Sequence, residues 1–519
     1  MILEEFALGG TRAGTGNEVF GIDLGTTYSS IAWLDENGKA EIIANREDER
    51  TTPSVVFFEN ETKISVGQTA KEQIAVTPEQ VCSFVKREMG NPSYRFKAPG
   101  GQEYSPVQIS AMIVKKLVQD TAERTGCEVK KAIITCPAYF GSDEHKATKE
   151  AGEAAGLEVL QVINEPTAAA IAYGIKLNEP KTIVVYDLGG GTFDVTVLKV
   201  SDKIEPYVTG GDARLGGKDW DMEFAKHLAE KWQEQTNSSE DLMQDELAKN
   251  ELLFLAEKWK KKLSTLEKVR VPVTPEGRGK ASIEVTREDF DTITSSLLER
   301  TMTATKDVLA DAAKKAGVDA FEFDELIMVG SSSKMPQVEA RLRREFGDKV
   351  KSFEPADAVA KGAAIFASLG GPDPVENILS KSYGVVGKRN GQAAVFNMLL
   401  KNERQTDTFT HKFPVDRPNL ASIDIQITES ETGCWEDSKT PEEQSRIAPI
   451  DDVIVKNKSI LQLKDGMPAG EMVDVTFAVD QNMVLNVTAA VASTGEKIDI
   501  KVEGVTTMPK ALCGGLVIE

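Results

Sequence analysis

Two aspartates, Asp187 and Asp194, stand on either side of three glycines in Asp187-Leu-Gly-Gly-Gly-Thr-Phe-Asp194. Carboxylates placed this way can hold Mg²⁺ through its waters, because that ion dehydrates reluctantly. Gly189, Gly190 and Gly191 let a ligand come close to the backbone, whose N–H groups can cradle phosphate oxygens. An apolar run, Ile183-Val184-Val185, leads into the turn, and Val195-Thr196-Val197 leads out of it. The glycines therefore fall between two strands. A Walker loop opens a helix with Gly-Lys-Ser/Thr, and a dinucleotide fingerprint also needs a helix after its glycines, so both are excluded. Taken alone, the stretch reads equally well as an ordinary Gly-rich hairpin.

A second copy shifts that balance. Val19-Phe-Gly-Ile-Asp-Leu-Gly-Thr-Thr-Tyr-Ser29 repeats the order of apolar strand, Asp-Leu-Gly and hydroxyl residues, and Ile31-Ala-Trp-Leu34 follows as another apolar run. Asp23-Leu24-Gly25 matches Asp187-Leu188-Gly189. Two such hairpins predict two similar lobes, each offering a phosphate turn to a shared cleft. A metal held by Asp23 and Asp187, with Asp194 near, fits that cleft. The hydroxyls and N–H groups of Thr26, Thr27, Gly190, Gly191 and Thr192 fit donors around a terminal phosphate. A third turn, Gly330-Ser-Ser-Ser-Lys334, follows the strand Leu326–Val329 and is placed to take up a nucleoside through Gly330, Ser331, Ser332 and Lys334.

The elements that must position these turns are legible in part. Pro106–Thr125 has apolar residues at helical spacing, Lys131–Pro137 reads as a strand, and His145–Ala155 as a helix. Asn164-Glu165-Pro166 turns the chain into a small-residue helix, Thr167–Tyr173, whose alanines allow close packing. Asp241–Ser264 reads as one long amphipathic helix with Leu242, Leu247, Leu252, Leu253 and Leu255 inside. Its lysine-rich end reads, on charge pattern alone, as a solvated face. Gly370-Gly-Pro-Asp-Pro374 marks a boundary. Beyond it the period becomes two, at Ile423/Ile425/Ile427, Val473/Val475/Phe477/Val479, Leu485/Val487/Ala489 and Ile498/Ile500/Val502. That pattern predicts an antiparallel β-domain.

Composition bounds the partners. The chain of 519 residues has length for roughly two to four domains. A net charge of −21 repels nucleic acid and anionic membranes, so neither is expected as a partner. No run approaches the ~18 apolar residues of a membrane span, and the acidic N-terminus lacks the features of a signal peptide. Five scattered cysteines without C-x-x-C argue against disulfides and zinc and fit a reducing compartment, with a cytoplasmic location as the expectation.

Together the three turns resemble the actin-like ATPase superfamily. In detail, Gly21–Ser29, Asn164-Glu-Pro-Thr-Ala-Ala-Ala170, Asp187–Asp194 and Leu215-Gly-Gly-Lys-Asp219 resemble the seventy-kilodalton heat-shock chaperone family. The likeness is dense from about residue 19 to 370 and traceable from about 380 to 505. It implies a flexible extension (1–18), an α/β two-lobed actin-like ATPase domain (19–370), a linker (371–380), an all-β antiparallel sandwich that binds peptide (381–505) and a tail (506–519). The cofactors implied are ATP/ADP with Mg²⁺ and K⁺. The partners implied are unfolded or extended polypeptides, a J-domain co-chaperone and a nucleotide-exchange factor. Within this resemblance Lys86 matches the catalytic lysine. Glu165 and Pro166 relay the nucleotide state, and Glu257, Lys260, Lys261 and Ser264 surround ribose and adenine. Gly25, Tyr28 and Asp357 join the nucleotide set. Slow hydrolysis is expected, since no activated base is evident.

The chain departs from the family's pattern at several points. Lys261 and His145 stand where arginines are usual, and Ala356 where the first of two acids is usual. The linker has only Val375, Ile378 and Leu379 as apolar residues, and the helical lid that would follow residue 505 is missing from 506–519. These departures keep a second reading open, that of an ATP-binding co-chaperone or regulatory partner. A small-molecule kinase on the same superfamily fold is a third, disfavoured by the β-domain.

Overall fold

The computed structural model describes residues 18–174, 179–201, 203–352, 356–369, 378–389, 392–404, 408–415, 420–430, 447–448, 454–462, 469–480, 483–500 and 517–518. Most of the predicted linker, the tail residues 506–516 and 519, Val502, Glu354 and Pro355 lie outside the described residues.

Two sheets of the same topology form the frame. In the first, the strand order is Glu158–Asn164, Lys131–Cys136, Val19–Asp23, Tyr28–Leu34, Ala40–Ile42. In the second it is Val350–Ser352, Glu325–Val329, Lys181–Leu188, Phe193–Val200, Ile204–Asp212. Each central strand pairs antiparallel with the strand after its glycine turn and parallel with a later strand. Hairpin partners need only a short turn, whereas parallel partners need a long crossover, usually a helix. The repeated Asp-Leu-Gly hairpins are thus the matching cores of two lobes.

The central strands are buried on both faces, and Ile183, Val184, Val185, Phe20 and Ile22 have almost no exposure. This agrees with their continuous apolar character. The helices Glu165–Ala172 and Ala358–Ser368 cross between the lobes at very short range. A Cβ on Gly362 would overlap the backbone of Ala168. Ala168, Ala169 and Ala170 are fully buried, in keeping with a packing role for this small-residue run.

Helix bounds follow local signals where those are strong. Pro106–Thr125 begins with a Ser105/Gln108 capping box and ends at left-handed Gly126, φ 71°. The helix expected from His145 starts earlier, at Ser142, and ends at Ala154. The next begins at Glu165, not Thr167, and ends at Ala172. The long helix expected over 241–264 is interrupted. Leu242–Gln244 is one short turn, and Asp245 then caps a helix over Glu246–Leu263 by accepting from the N–H groups of Leu247 and Ala248. The restart resets the helical phase, so Leu247 is 55% exposed rather than inside, and Leu253 and Leu255 are only partly buried.

The period-two segments form two antiparallel sheets, one of five strands and one of four. They close on a core containing Val473, Val475, Phe477, Leu485, Val487, Ala489, Ile425 and Ile427. Leu379, one of the apolar residues of the predicted linker, is buried in this same core. The β-domain rests on both lobes. On the first, Ser380 Oγ donates to Phe140 O (2.7 Å), Ser142 N to Tyr383 Oη (2.9 Å) and Leu485 N to Ser142 Oγ (2.8 Å). On the second, Thr209 N donates to Asn402 Oδ1 (3.3 Å) and Lys315 Nζ to Asn402 O (2.9 Å).

Candidate nucleotide-binding site

A cavity of about 950 Å³ opens between the lobes. The two glycine turns meet across it. A Cβ on Gly190 would overlap the Thr27 side chain, and one on Gly191 would overlap Thr26. Behind them, the N–H groups of Gly217 and Lys218 donate to Gly189 O (3.0 Å) and Gly190 O (2.9 Å). Gly330 has φ 83°, and a Cβ there would overlap Leu188 O. The third turn is thereby pressed against the second, and only glycine fits.

Acids gather at the phosphate end. Asp23, Glu165 and Asp187 line the cavity with Lys86, whose Nζ lies 2.6 Å from Glu165 Oε1. Burial, and then the Glu165 charge, push Asp23 up to about 7. Burial, Glu165 and Asp23 raise Asp187 well above the ordinary carboxylate range. Burial and Glu165 do the same to Asp194. Burial pulls Lys86 down, but Glu165 and Asp23 outweigh it and leave the ammonium above its usual value. Buried carboxylates with one lysine between them hold protons unless another cation arrives, and that is the environment a divalent ion fits. Among the described residues no three of these side chains converge closely enough to ligate an ion directly. A hydrated ion suits the site better than a bare one.

The other end carries a cross-lobe cluster. Tyr28 Oη donates to Glu257 Oε1 (2.8 Å), and Lys71 Nζ lies 2.6 Å from Glu257 Oε2. Lys261 Nζ is 2.8 Å from Glu257 and 4.6 Å from the Tyr28 ring centroid. Burial by itself would raise Glu257, but Lys71 and Lys261 hold it well below the usual range. Lys260 points inward to Gly217 O and Asp221, each at 2.7 Å. Burial raises Asp221 to about 6. Lys260 is therefore no member of a solvated face.

Of the residues singled out from sequence, Asp23, Gly25, Thr26, Thr27, Tyr28, Lys86, Glu165, Asp187, Gly189, Gly190, Thr192, Glu257, Lys260, Lys261, Ser264, Gly330, Ser331, Ser332, Lys334 and Asp357 line the cavity. Gly191 and Asp194 do not line it. Gly191 packs behind the turn, and Asp194 is buried with its Oδ1 unpartnered. Asp357 is paired with Arg50 at 2.5 Å. Arg50, Lys71, Arg87, Lys218 and Asp221 were not singled out. Only Arg87 and Lys218 had a local signal, as neighbours of Lys86 and of the Gly216-Gly217 pair. His145 is buried against Cys136, Nε2 to Sγ 3.3 Å, and burial lowers it to about 3, so it is neutral.

Two lobes of matching topology, joined at a cleft with paired phosphate turns and followed by a β-sandwich, define an actin-like ATPase linked to a second, all-β domain. The family described as "Hsp70 protein" matches residues 19–513. The chain is 36% identical over 494 residues to "Chaperone protein DnaK" of Thermosipho africanus (strain TCF52B), covering 94% of this chain and 80% of that protein. The chain belongs to the Hsp70 family. It is an ATP-dependent molecular chaperone and an ATPase that uses ATP/ADP with Mg²⁺, and it acts on unfolded polypeptides with co-chaperones. Among the described residues no helix is long and apolar enough to cross a membrane.

Proposed function

We propose that the cleft hydrolyses ATP slowly and that the segment Pro137–Glu144 carries its state to the β-domain. The observation that carries this reading is the double contact of that segment. At the cleft, Lys86 Nζ lies 5.9 Å from the Phe140 ring, and the Tyr139 backbone bonds to Asp194. At the other side, Phe140 O and Ser142 bond to Ser380, Tyr383 and Leu485.

In this reading the turns at Gly25–Thr27 and Gly189–Thr192 hold the phosphates by N–H groups and hydroxyls. Glu257, Lys260, Lys261, Ser264 and the Gly330–Lys334 turn hold the nucleoside, with Tyr28 and Asp357 at the rim. Asp23 and Asp187, with Asp194 behind, would hold a hydrated Mg²⁺, which would supply charge neutralisation to the phosphates. Lys86, raised and fully charged, orients the attacking water and faces the charge that develops on the terminal phosphoryl. Glu165 fixes the lysine. In this reading Asp23 and Asp187 are given to the ion and Glu165 to Lys86, so among the described residues none of these three carboxylates is left free as a base, which supports slow turnover. K⁺, a J-domain partner, an exchange factor, a cytoplasmic location and the domain limits given above complete the proposal.

The test is the affinity of a fluorescent extended hydrophobic peptide with ADP and with ATP, using Thr192→Ala to slow turnover. Tenfold weaker binding in ATP corresponds to about 1.4 kcal/mol of coupling and supports the reading. Equal affinity overturns the coupling.

A further inference from the structure

One strand pairing has no part in the cleft or in the β-domain contacts described above. The first lobe carries a small sheet in the order Val517–Ile518, Lys63–Val66, Val55–Phe58, Val81–Ser83. Lys63–Val66 and Val55–Phe58 are antiparallel neighbours. Val517–Ile518 comes from far along the sequence and runs parallel to Lys63–Val66, with Val517 beside Lys63 and Ile518 beside Ile64. Parallel pairing cannot arise from a tight hairpin, so tertiary structure brings this strand to the sheet. The edge it covers is suited to accept a strand. Lys63 O accepts from Glu59 N (3.1 Å), and Gly67 N donates to Val55 O (3.1 Å), both toward the inside of the sheet. Backbone groups alternate in direction along a strand, so those of Ile64 and Val66 face the outer edge. Both residues are buried in the core of the first lobe. Unpaired backbone groups at such a place cost about as much as lost hydrogen bonds, and an open edge is a template for an added strand. Among the described residues Val517–Ile518 is the only strand on that side.

We propose that the outer edge of Lys63–Val66 is a strand-accepting site, filled reversibly by Val517–Ile518 of the same chain, and that this pairing ties the far end of the β-domain to the first lobe. The last described strand of the β-domain is Lys497–Ile500. Sixteen residues separate Ile500 from Val517, a reach of at most roughly 60 Å when extended. With the pairing made, the β-domain is held to the ATPase domain from both ends of its sequence, and the distance to which the two can part is bounded. A pairing two residues long is weak by itself. Its place in the same chain supplies the effective concentration that populates it, and the tie in turn raises the effective concentration of the β-domain at the lobe. The effect on docking rests on the coupling reading above; the strand pairing does not.

The experiment uses the full chain. In one variant Val517→Pro is combined with Ile518→Pro. Consecutive backbone N–H groups point to opposite sides of a strand, so one of the two proline rings meets the edge whatever the register. Val517→Ile with Ile518→Val is the control that keeps both donors and the β-branched shape. Amide hydrogen exchange at Ile64 should be about five- to tenfold faster in the proline variant and unchanged in the control. Ser142 and Leu485, at the docking interface, should exchange about threefold faster. A separate variant, Lys63→Cys with Val517→Cys, places two thiols on paired residues of neighbouring strands, within disulfide range. Oxidised glutathione should close an intrachain bridge. Unchanged exchange at Ile64, or no cross-link, overturns the site. A bridge that joins two chains overturns the assignment to the same chain, since a second copy then supplies the strand. Faster exchange at Ile64 with Ser142 and Leu485 unmoved overturns the tie. If the wild type binds peptide equally with ADP and ATP while the proline variant still loses protection at Ser142, the coupling reading falls and the tie stands.

Discussion

Tyr383→Phe isolates one bond between the ATPase and β-domains. Ser142 is the first residue of its helix, so its N–H has no acceptor within that helix. Tyr383 Oη supplies one at 2.9 Å, in an interface where both residues are buried. Removing the hydroxyl leaves the aromatic ring in its place in the β-domain core, which also contains Val385 and Phe477. Packing is kept while the acceptor is lost. In the docked form the Ser142 N–H becomes a buried orphan, at a penalty of about 1–3 kcal/mol. In the separated form water satisfies that N–H and nothing is lost. The docking equilibrium should therefore shift about 5- to 150-fold toward separation, at RT ≈ 0.6 kcal/mol. Amide hydrogen exchange reads this directly, with Ser142 and Leu485 losing protection together while core amides of the Phe477 strand keep theirs. The peptide-affinity ratio between ATP and ADP should shrink in the same variant. Unchanged exchange at Ser142 would refute the argument. A uniform loss of protection across the β-domain would also refute it, since that means the core and not the interface was damaged.

Further outcomes follow from the same geometry. Lys86→Ala should lower kcat about 10²- to 10³-fold, the usual loss for a group facing transition-state charge, with ADP affinity changed only a few-fold; calorimetry and single-turnover kinetics separate the two. Gly362→Ala forces a methyl onto the Ala168 backbone and should destabilise the ATPase domain by about 1–3 kcal/mol, read as a lower Tm. His145 is held by burial at about 3 against 6.5 when unfolded, so the unfolded chain takes up the proton first. Its contribution is present above pH 6.5 and is lost as pH falls toward 3. Relative to His145→Gln, the wild type should lose about 2 kcal/mol of stability between pH 6.5 and 5, at ~1.4 kcal/mol per unit. Parallel denaturation curves for the two proteins would count against a neutral buried imidazole.

Local features of the chain were legible where short-range chemistry decides them. The two Asp-Leu-Gly hairpins lie between strands as expected, and Asp187 is directly opposite Asp194 in the ladder. Pro106–Thr125 starts and stops as read, because a capping box and a glycine fix its ends. The break at Asp245 was missed because the leucine spacing runs through it, while the aspartate side chain captures two backbone N–H groups and restarts the helix. Lys260 carried the charge pattern of a surface residue, yet Asp221 and Gly217 O draw it inward.

The sequence by itself determined the paired phosphate turns, the two-lobed plan and the alternating β-domain, since each is written in the types and spacing of neighbouring residues. The tertiary structure alone decided which charges share the cleft. Nothing near Lys86 in the chain announces Glu165, and nothing near Tyr28 announces Lys71, Glu257 and Lys261. These contacts span up to 233 residues. They exist because two sheets built from distant parts of the chain pack against the crossing helices Glu165–Ala172 and Ala358–Ser368. Burial there sets both the distances and the protonation states, and neither is a property of any local stretch.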